Sequence, residues 1–302
     1  MVNNEDDAET YILLLLSDSN LPTGSFVAST GLESYMKHGF PAPPTSTVAQ
    51  ATIDFVRDNL ASYARTAIPF VSDAHRAVES LALQDEMNEE LEVGKTNVLG
   101  ILRELDDLYQ SMTLNHVARR ASTAQGVALL TLYSKGFSRP TSISDFPCTR
   151  PTHCEKQMAK LFDEFKMNIR KEEVAGHLPV CWGILTAALG LKLGMHTQNP
   201  LHNKKFIFQV ERSQFLHLFL HCRSLLSASV RLNDIGPYGA QQIILHAVRP
   251  LVAAETARCR DLRTGILDGS FNETTMGPAN TWPLGEILAG RHDLQHSRIF
   301  NS

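Results

Sequence analysis

The sequence predicts an all-α fold, a single-domain helical bundle followed by a long C-terminal tail. Apolar residues recur at helical spacing along most of the chain, and alternating β-branched runs bounded by turns are nearly absent. With 302 residues, of which 43% are hydrophobic, the chain can bury a sizeable core. We therefore divide it into an acidic N-terminal extension (1–10), an all-helical domain (11–263) and a tail (264–302).

Helical spacing is clearest in segments 48–60, 101–112, 127–136, 161–169, 206–231 and 239–260. Thr47 and Gln50 form a capping-box pair in front of the first segment. The last segment is bent or interrupted at Pro250, because proline cannot donate the interior hydrogen bond. Segment 206–231 carries a narrow apolar stripe, which predicts a partner helix. The stripe consists of Phe208, Phe215, Phe219, Leu226 and Val230.

Proline, glycine and short polar residues predict loops at 40–46 and 134–155 and along the tail at 264–290. Residues 84–98 are polar and acidic, which indicates a surface insertion, and a second insertion lies near 134–158. The tail can bury little apolar area by itself. We therefore expect it to become ordered only against a partner.

Composition excludes several classes of protein. The formal charge is −4 and the basic residues are dispersed, so we expect no nucleic-acid partner and no membrane surface. Five widely spread cysteines favour a reducing compartment. The acidic N-terminus lacks the pattern of a signal peptide, and the apolar stretch 180–195 falls short of a membrane span. We expect a cytoplasmic protein.

Catalytic motifs are missing from the sequence. Gly94-Lys95-Thr96 imitates the end of a P-loop, but Glu89 stands where the motif requires glycine. His217 and His221 are spaced to share one helical face, which the helical wheel turns away from the apolar stripe towards solvent or a partner. Two imidazoles form an incomplete site for a borderline metal. They are therefore weak metal candidates, and a structural or partner-contact role is the preferred interpretation.

Five blocks, in this order along residues 13–302, resemble the UreF family of urease accessory proteins. Each block alone is weak, because Leu-rich helices and Pro-Gly turns are common, and the specific signal is their order. The insertions and the acidic extension indicate a eukaryotic, fungal-type member. The blocks are Leu13–Glu33 with Pro22, Gly24, Gly31 and Glu33; Arg119–Leu130 with Gln125 and Gly126; Gly176–Gly183 with His177; Arg231–Gln242; and Arg291–Ser302.

This resemblance implies a non-catalytic, all-α and often dimeric protein that binds a UreD-type accessory protein, also called UreH. The complex recruits a UreG-type GTPase, whose cycle this chain is expected to regulate, and docks on apo-urease for nickel insertion. No cofactor is expected to be bound stably, and nickel is expected only as a transient cargo. The terminal block is the expected partner-binding segment, through Arg291, His292, His296, Ser297, Arg298, Ile299 and Phe300.

Three alternatives stay open at this point. One is a metal-dependent hydrolase that uses His217 and His221. Another is a generic helical scaffold unconnected to urease. Within the family interpretation, one of the arginines in the matched blocks could act in trans on the GTPase, or these arginines could pair with acids and hold helices together. They are Arg119, Arg120, Arg231 and Arg298.

Overall fold

The computed structural model describes residues 4–38, 47–86, 91–138, 152–191, 212–268 and 271–295. Within these ranges the regular elements are helices and no strand occurs, which confirms the all-α prediction. The α-helices are α1 Asn4–Leu16, α2 Pro22–Ser25, α3 Leu32–Lys37, α4 Val48–Glu86, α5 Leu91–Met112, α6 His116–Leu132, α7 His153–Arg170, α8 Leu178–Ala188, α9 Arg212–Arg231, α10 Pro237–Ile243, α11 Arg249–Cys259, α12 Glu273–Met276 and α13 Pro283–Gly290.

Helix α4 is the central helix of the bundle. Its 39 residues span about 58 Å at 1.5 Å per residue, and it packs against α5, α8, α9 and α11. The helix begins as predicted, with Thr47 Oγ1 accepting a hydrogen bond from the Gln50 backbone N–H at 3.1 Å. It continues through Pro69, whose neighbours Ile68 and Phe70 are fully buried. Burial on several sides therefore holds this helix together despite the missing backbone donor.

Two apolar clusters lie along α4. The C-terminal half of α4 packs with α5 to α8 around Phe70, Leu102, Leu130, Phe162 and Trp182, each at most 1% exposed. The N-terminal half packs with α3, α9, α11 and the tail around Leu32, Phe55, Leu226, Val252 and Leu288, again at most 1% exposed. Helix α9 contributes side chains to both clusters. The tail contributes Leu288 to the second cluster, and its Ile266 packs against the first.

The predicted interruption before Pro250 is a π-helical turn. Helix α10 passes into this turn at Ile244–Val248, and α11 follows from Arg249, with Pro250 in its first turn. A proline ring clashes with the carbonyl four residues earlier in a regular α-helix. The wider turn accommodates the proline, so the helical path continues with a local change in winding.

One loop prediction and the tail prediction are wrong in part. Helix α7 begins inside segment 134–155, because Thr152 and Glu155 form a reciprocal capping box. Segment 84–98 stays a predicted surface insertion, with helices α4 and α5 extending into it and residues 87–90 lying outside the described residues. The tail, over 264–268 and 271–295, packs on the bundle without a partner, since Leu288 is buried and the Asp73 carboxylate accepts hydrogen bonds from Thr264.

No helix in the described ranges is long and apolar enough to cross a bilayer.

Candidate functional site: the cavity under the C-terminal tail

His217 and His221 lie inside the protein, not on an outer face of α9. His217 is only 3% exposed. Leu218 and Leu225, which do not belong to the expected apolar stripe, are fully buried as well. The helical wheel is wrong here because α9 packs against α2, α4 and α11 at once. Contacts on several sides bury most of its circumference, so a single apolar stripe does not define the buried face.

Tyr63 of α4 connects the two histidines. Its ring stacks on His221 at a centroid distance of 3.8 Å, and its hydroxyl lies 3.0 Å from His217 Nε2. His221 Nε2 donates to Asn59 Oδ1 at 2.7 Å. Burial lowers the pKa of both histidines to about 3, so both imidazoles are neutral at physiological pH.

This donor set does not fit a metal-dependent hydrolase. The Nε2 atoms of His217 and His221 already make hydrogen bonds within the protein. Across the part of the chain that the structure describes, no group of three or more His, Cys, Asp or Glu residues has an arrangement that could hold a metal ion. A hydrolytic metal in proteins commonly has three protein ligands and an open position for water.

The histidines and Tyr63 line a cavity of about 190 Å³ between α2, α4, α6, α9 and the tail. Its other walls include aromatic rings, among them Trp182 and Trp282. Among the described residues that line the cavity, Glu286 is the only acidic one and none is lysine or arginine. The cavity is therefore aromatic, neutral over most of its surface and negative at one point.

The tail forms the wall opposite α9. Asn280 Oδ1 accepts from Ser62 Oγ at 3.0 Å, and its Nδ2 donates to Glu286 Oε1 at 2.9 Å. Asn115 Nδ2 donates to the Glu286 backbone carbonyl at 3.0 Å, and Trp282 packs edge-on against Phe55. Glu286 is an exposed residue and lies at the mouth of the cavity, where desolvation still raises the pKa of its carboxyl group. The tail thus forms one wall of the cavity.

A second polar cluster lies beside the cavity, around the loop before α8. The Asp106 carboxylate accepts backbone hydrogen bonds from Ala175, Gly176 and His177 at 2.6, 2.9 and 2.7 Å. His177 Nε2 lies 2.6 Å from Gln110 Oε1. We call this group of residues the Asp106 cluster. Its members fix the path of the chain from α7 into α8.

Close backbone packing adds to the Asp106 cluster. Gly176 has φ +78°, a left-handed conformation that favours glycine. A Cβ atom on Gly126 of α6 would lie 2.1 Å from the Gly176 carbonyl oxygen. Both glycines are therefore required by geometry, which explains why they occur in the sequence blocks.

Blocks that are distant in the sequence meet at the cavity. Pro22 of the first block and Gln125 of the second line it, while Gly24 lies within α2. Gly31, with φ +99°, begins α3 under the tail, where a Cβ atom would lie 2.7 Å from the Ala289 backbone nitrogen. Glu33 is buried and forms an ion pair with Lys37 at 2.6 Å.

The terminal block is described only up to Gln295. Arg291 is exposed, whereas His292 is 3% exposed, so its side chain could contact a partner only if this segment moved. Asp293 pairs with Arg120 at 2.8 Å, and Arg119 donates to the backbone carbonyls of Thr113 and Gln110. His296, Ser297, Arg298, Ile299 and Phe300 lie outside the described residues.

Three large apolar side chains remain exposed where the tail meets α6. Leu114 is 82%, Ile287 65% and Leu294 74% exposed. The hydrogen bond from Asn115 to the Glu286 backbone brings the first two together, and the pairing of Asp293 with Arg120 holds the third beside α6. We call these three residues the tail surface.

Comparison with known proteins gives the family. The UreF family model matches residues 47–199 and 207–248. "Urease accessory protein 6" from Cryptococcus neoformans var. grubii is 39% identical, with 99% of each chain covered. The chain belongs to the UreF family. An "Uncharacterized urease accessory protein UreF-like" from Schizosaccharomyces pombe is 27% identical over 99% of each chain, and "Urease accessory protein F" from Arabidopsis thaliana is 25% identical, covering 95% of this chain and 90% of its own.

The resemblance to UreF, with a fungal-type member, is confirmed. Membership of a urease accessory family also removes the alternative of a scaffold unconnected to urease. Sequence reasoning missed Tyr63, Trp282, Glu286 and Asp106. One local signal was available for α13: Pro283 follows Trp282 at a position typical of the first turn of a helix. No local signal pairs Asp106 with backbone groups about seventy residues later.

Proposed function

We propose that this UreF-family chain is a non-catalytic adaptor that binds a UreD-type accessory protein and a UreG-type GTPase and docks them on apo-urease for nickel insertion. Family membership supports the connection with urease. The single structural observation that carries the proposal is the tail surface, whose apolar side chains lie in contact with solvent. Exposed apolar patches are typical of surfaces that bind other proteins.

An adaptor of this kind works by changing the populations of its partners' states. The tail surface gives it a place to bind, and the low pKa of both histidines makes them weak general bases. To regulate the GTPase, the assembled complex must bind one nucleotide state more tightly than the other. Nickel is then a cargo of the complex and not a resident cofactor of this chain.

The proposal also includes a homodimer working in the cytoplasm. Apolar side chains are exposed away from the tail too, with Tyr238 at 89% and Leu245 at 56%. A second copy of the chain would cover such side chains. Sedimentation of the purified protein measures this directly, and a monomer at all concentrations would remove the dimer from the proposal.

Pull-down with the UreD-type protein tests the adaptor role. We expect Ile287→Asp together with Leu294→Asp to abolish binding, because two charges would be desolvated in the interface. Leu14→Asp is the matched control, since Leu14 is also 65% exposed but lies on α1. Equal binding by the double variant and the wild type would contradict docking through the tail surface.

Point substitutions are a sharper test than deleting the tail. Removing residues 264–302 would also remove Leu288 from the second apolar cluster and Thr264 from Asp73, so a loss of binding could follow from unfolding. A second assay measures GTP hydrolysis. We expect none from this chain alone and an altered rate when it is added to the UreG-type protein, and turnover by the isolated chain would overturn the adaptor role.

A further inference from the structure

We infer that the cavity under the tail is a binding site for a planar organic cation of the guanidinium class. This ligand could be a free small molecule or the arginine side chain of a protein partner, since both present the same group. The inference rests on the charge, the walls and the hydrogen-bonding groups of the cavity. It is independent of docking through the tail surface.

Charge favours a cation and opposes an anion. Glu286 at the mouth is the only acidic residue among the described lining residues, and lysine and arginine are absent from them. His217 and His221 add no positive charge at neutral pH, because burial keeps both imidazoles neutral. An anionic guest would therefore meet one carboxylate and no compensating cation.

The aromatic wall and the carboxylate of the cavity together favour a planar cation. A guanidinium group is flat and weakly hydrated, stacks on aromatic faces and matches a carboxylate with two parallel N–H donors. The cavity offers both features, with the half-buried Trp282 ring in its wall and the Glu286 carboxylate at its mouth. Trp182 also lines the cavity but is 1% exposed, so Trp282 is the tryptophan that is available for stacking. Asn280 and Asn115 donate to that carboxylate, which has about four acceptor positions and so keeps some of them for a guest. An ammonium ion would be favoured less, because it is compact and strongly hydrated.

Further acceptors and donors surround the aromatic walls. Asn59, Ser62 and Thr66 of α4 line one side, and Ser224 of α9 lies on the other. A guanidinium group has five N–H donors when it is singly substituted, more than one carboxylate can accept. Asn59 Oδ1, Ser62 Oγ and Ser224 Oγ each already accept one hydrogen bond within the protein, and each keeps a second acceptor position. These positions can accept the remaining donors, which reduces the hydrogen bonding that the guest loses on leaving water.

Tryptophan fluorescence reads this site directly. The chain has two tryptophans, Trp182 and Trp282, and both line the cavity. We expect butylguanidine at millimolar concentration and constant ionic strength to give a saturable change in emission. Butyrate should give none, and butylurea, which is planar but neutral, should bind at least tenfold more weakly. A capped arginine that binds as well as butylguanidine indicates a protein side chain as the source, and its exclusion indicates a small molecule.

Substitutions test whether the Glu286 carboxylate is the group that attracts the cation. Glu286→Gln should weaken butylguanidine binding about tenfold, which is about 1.4 kcal/mol. Glu273→Gln is the matched control, because Glu273 is an exposed carboxylate of the same tail outside the cavity lining. Trp282→Phe should remove the Trp282 part of the fluorescence change, and the remaining Trp182 signal should report weaker butylguanidine binding, because a phenylalanine ring attracts a cation less than an indole does.

Several results would overturn the inference. They are the lack of a saturable change with butylguanidine, equal affinity for butylurea, or equal affinity in Glu286→Gln and the wild type. If Glu286→Gln does not fold, the comparison of the three ligands on the wild-type protein still decides. Loss of UreD-type binding in the tail-surface variants has no bearing on these measurements, so the two proposals fail separately.

Discussion

The Asp106 cluster and the cavity under the tail both bury histidine, and they differ in what surrounds it. In the Asp106 cluster, backbone N–H groups and side chains meet at short distances, and a Cβ atom at Gly126 has no room. Around His217 the chain leaves a cavity of about 190 Å³. Polar burial therefore has two uses here: the first region fixes the path of the chain, and the second retains space for a guest.

The largest expected effect comes from removing the Asp106 carboxylate. Asp106→Ala leaves two buried and one half-buried N–H group without an acceptor and should lower the free energy of unfolding by about 3 kcal/mol. Urea denaturation measures the change. Asp107→Ala, at the exposed neighbouring position, is the control and should stay within about 0.5 kcal/mol of the wild type. Similar values for both variants would show that the Asp106 cluster does not fix this part of the fold.

Steric crowding gives the second test of the Asp106 cluster. Gly126→Ala forces a methyl group against the Gly176 carbonyl and should destabilise the protein by about 2 kcal/mol. Gly100→Ala lies in α5, where a Cβ atom meets nothing within 4 Å, so it should stabilise by up to about 1 kcal/mol. Thermal or urea unfolding compares the two. Equal shifts of the same sign would contradict the packing at Gly126.

The pH dependence of the free energy of unfolding tests the buried His217 of the cavity. Burial lowers the folded-state pKa of His217 to about 3, below the ordinary value of 6.5. The unfolded chain therefore binds a proton first, so stability present above pH 6.5 is lost as the pH falls from 6.5 towards 3. The slope for one such histidine is about 1.4 kcal/mol per pH unit. His217→Phe should reduce the loss between pH 7 and pH 5 by about 2 kcal/mol, and an unchanged pH profile would count against it.

The smallest expected effect is at the edge of the tail. The Arg120–Asp293 pair has side chains 52% and 43% exposed, so solvent screens its attraction. Arg120→Ala should change the free energy of unfolding by less than about 1 kcal/mol, and the effect should shrink further at high salt. A loss comparable with that of Asp106→Ala would mean that this ion pair, and not the apolar contact of Leu288, holds the tail to the bundle.

Local signals predicted the helices well and their surroundings poorly. Thr47 and Pro250 mark a helix start and a change of winding in the structure, because capping and the missing proline donor act within a few residues. His217 was assigned to the wrong side, since the number of neighbours around α9 is not a property of α9's own sequence. The tail was misread for the same reason, because its apolar contacts come from α3 and α6.

The sequence by itself determined the all-α class, the family and the change of helical path at Pro250. These follow from helical periodicity, ordered blocks and backbone sterics, which all act over short stretches of chain. Only the tertiary structure decided that Tyr63, His217 and Glu286 share a cavity and that the tail forms one of its walls. Such contacts join residues about 70 to 220 positions apart, and burial, charge and free space at that distance arise from packing and not from local preference.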